Sequence, residues 1–144
     1  MPRVKLMSSG TIAAPKFTNA EKRFLDKHEI ARFATVSSNG IPHVVPVSYV
    51  FRNCVFFVAV DYDTKKYRNL LRNPNVALVV DTTRPNRGIL IQGQAEIFEK
   101  GVEYQDAYGI FYRKFGWVRA NPWKQGEAPF IKINPSTKAS WGFR

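Results

Sequence analysis

Between Asp61 and Pro74 the chain reads DYDTKKYRNLLRNP, and its chemistry is concentrated at Thr64, Lys65 and Lys66. One hydroxyl and two ammonium groups stand where a helical pattern begins. A helix N-terminus already carries unpaired N–H groups and partial positive charge, so further cations there repel it. An anion relieves both. A phosphate monoester, with its negative charge and several acceptor oxygens, matches a hydroxyl, two ammonium groups and helix-terminal N–H donors. Taken alone, the triplet equally describes two solvated lysines on a basic protein.

Other chemistries find less support. Ser37, Ser38 and Ser48 have only His43 as a nearby base, and no G-x-S-x-G surrounds them, which argues against a triad. The sequence has no H-E-x-x-H, no Rossmann glycine fingerprint and no Walker phosphate loop. Asp61, Asp63 and Asp81 flank turns and form no defined pair. The single cysteine, Cys54, excludes an intramolecular disulfide and a multi-cysteine metal site. With His28 and His43 as the only histidines, no metal centre is expected.

The chain that must position these groups has 144 residues, 44% hydrophobic and 14% aromatic, enough for one packed domain. No apolar run approaches the length of a membrane span. The opening MPRVKLMSSGTIAAPKF lacks the apolar core of a secretory signal. Residues 1–17 therefore read as an arm, 18–144 as a single domain, and the reducing cytoplasm as the compartment. The net charge of +11 admits a polyanion or a small acidic ligand. The lysines and arginines are spread along the chain, not grouped in one run, which weighs against nucleic acid as a partner.

The elements follow from pattern. Thr18 and Glu21 have the spacing of a capping box before a short helix over about residues 19–28. IARFATVSSNGIPHVVPVSYVFRNCVFFVAV contains two turn signals between Val-, Phe- and Tyr-rich runs, a meander of three antiparallel strands with Gly40 at positive φ. Pro42 and Pro46 make its second strand an edge, a bulged strand or a ligand border. KKYRNLLRNP reads as a two-turn helix with Tyr67, Leu70 and Leu71 on one face. NVALVVD reads as a strand buried on both faces, DTTRPNRG as a polar loop, and ILIQGQAEIFEK as a long strand bulged at Gly93. GVEYQDAYGIFYRKFGWV makes a helix whose aromatic stripe packs on the sheet, and FIKINPSTKASWGFR one or two last strands. About six mostly antiparallel strands with short helices predict a mainly β fold, a small barrel.

The order ATV…NG.PHVVPV, then TKKYRNLLRNPNVALVVD, then QGQAE resembles the pyridoxamine 5'-phosphate oxidase-like, FMN-binding split-barrel family over about residues 19–100, and more loosely to the final SWGF. The resemblance implies a Greek-key split β-barrel and a homodimer with flavin mononucleotide (FMN) at the subunit interface. It implies that Val45, Pro46, Val47 and Ser48 border the flavin through their backbone, with Phe57 and Val58 beside them. Thr64, Lys65 and Lys66 would grip the phosphate. Gly88 falls where the family often has a glutamine toward the ring, and Trp141 matches a late tryptophan near the flavin. Val45 and Val50 stand where the true oxidase has an arginine and a lysine, and its C-terminal arginine–histidine cluster has no counterpart here. The comparison thus implies the fold and a flavin, not pyridoxamine phosphate oxidation. Tyr49 and Trp117 are candidates to stack on a planar substrate, and Arg84 and Arg87 to hold an anion. The expected activity is a flavin-dependent oxidoreductase served by a reduced nicotinamide or a small-molecule substrate. The alternatives are a deazaflavin-dependent reductase of the same fold, or a module that binds flavin, heme or nucleic acid without turnover.

Overall fold

Thr18 opens the first helix. Its hydroxyl accepts from the Glu21 N–H at 3.1 Å, and the Glu21 carboxylate accepts from the Thr18 N–H at 2.8 Å, the reciprocal box that the spacing predicts. This helix, α1 (Asn19–Lys27), buries Phe24 and Leu25. The computed structural model describes residues 14–143, so most of the arm anticipated at 1–17 lies outside the described residues. Phe17 is buried, its ring edge-on to Phe51 at 5.0 Å.

The meander forms as β1 (Ile30–Val36), β2 (Pro42–Arg52) and β3 (Val55–Ala59). Gly40 has φ +83°, and Asn53 and Cys54, at φ 53° and 63°, make a two-residue hairpin turn of the mirror-image type. The strands β4 (Asn75–Thr83), β5 (Asn86–Phe98) and β6 (Phe130–Trp141) complete a closed antiparallel barrel in the order β1-β2-β3-β6-β5-β4. Alternate residues point inward. Phe33, Tyr49, Phe56, Val58, Leu78, Ile91 and Ile131 fill the barrel. A second core lies outside it, where Val50, Phe57 and Phe130 meet Tyr104, Ala107 and Phe111 of α3 (Val102–Lys114). The aromatic stripe of α3 is thus helix-to-barrel packing, except that Tyr112 is exposed.

Four expectations change. Leu71 is exposed, because α2 (Lys65–Arg72) turns Asn69 and Leu70 to the barrel. The β4 strand buries Val76, Leu78 and Val80, while Ala77 and Val79 are half-buried on the outer face, so it is covered fully on one side only. DTTRPNRG is a hairpin: β4 and β5 pair up to Thr83↔Asn86, and Gly88 lies within β5. The helical pattern after Gly101 breaks at Phe115, where α4 (Gly116–Ala120) begins. The C-terminal segment is one long strand, within the one or two expected. Gly93 stands at the bulge, where the β5–β6 register shifts.

The β2 prolines have a geometric account. Ladder pairing joins β2 to β1 from Pro42 to Ser48, but to β3 only from Tyr49 to Arg52. The Tyr49 N–H donates to the Glu29 carbonyl at 3.1 Å, toward β1. Backbone groups alternate sides along a strand, so His43, Val45 and Val47 also face β1, whereas positions 42, 44, 46 and 48 face away. Pro42 and Pro46 therefore lack their N–H on the side with no ladder partner among the described residues. The β2 strand is a half-edge, and its ladder to β1 loses nothing to the prolines.

Candidate functional site

The chain leaves β3 at Ala59, where β2 and β3 part, and reaches α2 six residues later. Thr64 is the N-cap of α2. Its hydroxyl accepts from the Tyr67 N–H at 3.4 Å and donates to the Asp61 carbonyl at 2.7 Å. The hydroxyl proton is thus engaged within its own loop, and the first turn holds no acidic residue. Lys65 is exposed and Lys66 half-buried, and neither enters an ion pair among the described residues. Asn69 anchors the helix from beneath. Its amide donates to the Thr35 hydroxyl on β1 at 3.0 Å, with both side chains buried.

Lys66 lines a groove of about 370 Å³ with Asp61, Trp117, Trp123 and Glu127 among its walls. The rings of Trp117 and Trp123 are within 13° of parallel, with centroids 6.0 Å apart, and Trp117 remains 43% exposed. Trp123 is held by two tyrosines. Its indole N–H donates to the Tyr104 hydroxyl at 2.9 Å, and its backbone N–H donates to the Tyr108 hydroxyl at 3.2 Å. Burial pushes the Tyr104 phenol above its ordinary range, so it stays protonated and donates to the Ala128 carbonyl at 2.6 Å.

Gly88, Arg87 and Trp141 share the far end of the sheet. Gly88 pairs with Trp141 across β5 and β6, and the indole lies directly on the glycine, where any Cβ would collide with it. Arg87 donates from Nε to the Gly142 carbonyl at 2.9 Å, and its guanidinium lies 5.2 Å from the Phe143 ring centre. The structure thus gathers Lys66 with Trp117, and Arg87 with Gly88 and Trp141. The groove at Lys66 contains neither Gly88 nor Trp141.

The remaining candidates divide by exposure. Val45 and Val47 direct their backbone groups to β1, while Pro46 and Ser48 face the open side of β2. Phe57 and Val58 enter two different cores, and the backbone of each lies between β2 and β6. Tyr49 is a core residue rather than a stacking surface. Its hydroxyl donates to the Leu25 carbonyl at 2.6 Å, and burial, aided by the Asp26 charge, pushes the phenol far above its usual range. The Lys114 ammonium stands 4.6 Å from its ring centre. Ser37 is occupied by its turn, donating to Asn39 at 2.6 Å and accepting from the Ile41 N–H at 2.9 Å. Among the described residues no group of three or more His, Cys, Asp or Glu side chains converges as a metal site would, and no helix is long and apolar enough to cross a membrane.

Asn69 and Trp123 were not singled out by sequence reasoning. A polar residue between Tyr67 and Leu70 on an otherwise apolar helix face was the available signal for Asn69. Nothing in NPWKQGEAP marks Trp123, since its partners are about fifteen and nineteen residues upstream.

Comparison with known proteins fits this geometry. The chain is 33% identical over 94 residues to a 5a,11a-dehydrotetracycline/5a,11a-dehydrooxytetracycline reductase of Streptomyces rimosus, a match spanning 59% of this chain and 66% of that protein, just under two thirds of its length. The heme storage protein HutZ of Vibrio cholerae has the same fold, with TM-score 0.71 at 20% identity over 83% of this chain and 89% of that one. An F420 reductase also shares it, with TM-score 0.64 at 23% identity over 82% and 94% of the two chains. The family model for pyridoxamine 5'-phosphate oxidase matches residues 17–141, nearly the whole described chain. The six-stranded antiparallel barrel, its short helices and this match place the chain in the pyridoxamine 5'-phosphate oxidase family of split barrels.

Proposed function

We propose that the chain is a flavin-dependent oxidoreductase that holds FMN by its phosphate at Lys65 and Lys66, with two copies of the chain completing the site. One observation carries this reading: two cations at the N-terminus of α2 that enter no ion pair among the described residues, next to the point where β2 loses its β3 partner. Helix N–H groups and ammonium groups together suit a terminal phosphate. The open side of β2 offers the N–H groups of Val44 and Ser48 and the carbonyl of Pro46, a mixed donor and acceptor edge that suits a flavin ring. Ile41 and Val44 beside this edge are 56% and 63% exposed, and Leu71 on α2 is 60% exposed, which supports a second copy covering them. The reductase relative supports electron transfer to an organic substrate.

When bound, a flavin supplies the hydride chemistry. The chain's own residues hold and orient it. Lys65 and Lys66 neutralise the phosphate, Asn69 fixes the helix that carries them, and Trp117 offers an aromatic face at the mouth of the Lys66 groove. The fold likeness to an F420 reductase keeps a deazaflavin as the second reading.

Titrating the purified protein with FMN and with a deazaflavin, by visible absorbance and fluorescence, tests the proposal. Each charge-assisted contact contributes about 1.5–3 kcal/mol, so Lys65→Ala/Lys66→Ala should weaken FMN binding by about a hundredfold or more. Wild-type protein that binds neither cofactor, or a double variant that binds FMN unchanged, sinks the reading.

A further inference from the structure

A groove of about 330 Å³ separates the C-terminal half of α1 from the β4–β5 hairpin, and its charge is all of one sign. Arg23 and Lys27, four residues apart on α1, face Arg84 and Arg87 of the hairpin across it. No carboxylate lines it, and none of the four cations enters an ion pair among the described residues. Of the nearby acids, Asp26 lines a different groove with Lys22 and Arg52, and Asp81 pairs with Arg32 at 3.7 Å. The floor is aromatic. The Phe24 and His28 rings stand 4.3 Å apart, and the His28 Nδ1 donates to the Phe24 carbonyl at 2.8 Å. Arg87 is held in place by its Nε–H bond to the Gly142 carbonyl, and among the described residues its two terminal guanidinium nitrogens make no hydrogen bond.

The α1 C-terminus accounts for Lys27, because a cation there meets the negative end of the helix. It does not account for Arg23 one turn earlier, nor for two arginines brought opposite by a hairpin distant in sequence. Four like charges around one concavity repel each other unless an anion sits among them. We propose that this groove binds a small oligoanion, a molecule with two or more phosphate or carboxylate groups close together. Arginine is suited to this task, since its planar fork meets an oxyanion through two parallel hydrogen bonds. The size of the concavity suits a small molecule. The site is separate from Lys65 and Lys66, and it does not rest on the flavin reading.

Calorimetric titration of the full chain with inorganic pyrophosphate, citrate and a short DNA duplex tests this, each at low and raised salt. The expected result is one pyrophosphate or citrate bound per chain, more weakly as salt rises. The tighter of the two identifies phosphate or carboxylate as the preferred group. Arg23→Gln/Arg84→Gln, two exposed side chains, should lower that affinity about tenfold or more, while Lys65→Gln/Lys66→Gln should leave it unchanged. Three results overturn the proposal: neither small anion binds, only DNA binds, or the lysine pair rather than the arginine pair controls the affinity. Loss of FMN binding in the lysine variant with intact pyrophosphate binding supports both sites as separate.

Discussion

Glu21 sits in the first turn of α1 yet is almost fully buried, with Lys138 donating to its carboxylate at 2.6 Å. Burial pushes that carboxyl up. The hydrogen bonds from Lys138 and the Thr18 N–H, the nearby Ser140 hydroxyl and the Lys138 charge more than offset this and hold it below its ordinary 4.5. A depressed carboxyl stabilises the fold above the unfolded value, and this contribution is lost as pH falls through the lower folded value. Glu21→Gln keeps the capping geometry but removes the charge. It should cost about 1.5–3 kcal/mol at neutral pH and flatten the loss of stability between neutral pH and the acid range, as read by urea denaturation. An unchanged acid limb would refute the assignment. The capping half of this was legible in Thr18-x-x-Glu21, because a helix cap is local. The Lys138 half was not, because the partner lies 117 residues away on β6.

Elements were more legible than their neighbours. The meander, the α1 and α2 helices and the Gly93 bulge follow from period, turn residues and a glycine inside a strand. The DTTRPNRG hairpin did not, because its composition is that of a loop and only the pairing of β4 with β5 extends the strands into it. The one-sided burial of β4 was missed for a related reason. An apolar run fixes that a strand is buried, but what covers its second face is decided by other elements. Two glycines separate these levels experimentally. At Gly93 a Cβ would overlap the Asn134 carbonyl oxygen on β6, whereas at Gly109 in α3 it meets only the end of the Arg113 side chain at 3.4 Å. Gly93→Ala should destabilise by about 2–3 kcal/mol, and Gly109→Ala should stabilise by about 0.5–1 kcal/mol, both measurable by chemical denaturation. Equal effects would mean that the β5–β6 bulge does not depend on the missing side chain.

At the scale of the whole molecule, the barrel and its family were legible from the order of degenerate motifs, since order is what the topology preserves. The grouping of the candidate residues was not. Trp117 and Lys66 meet in one groove and Arg23 and Arg84 in another because helices close on particular strands, and neither approach has a signature in sequence spacing. The half-edge of β2 also carries a consequence for solubility. An unpaired strand edge is a template for adding a foreign strand, the first step of fibre growth. Of the four backbone positions that β2 turns outward, two are proline and can donate nothing, so an incoming strand meets an interrupted ladder. Replacing both, as Pro42→Val/Pro46→Val, restores those donors without touching the bonds to β1. The variant should fold, yet form thioflavin-positive aggregate on shaking well before the wild type. If both stay clear equally long, the prolines do not guard the edge. If the variant aggregates first, the two residues that look like faults in a strand protect it against misassembly, while the Pro46 carbonyl stays available to a ligand.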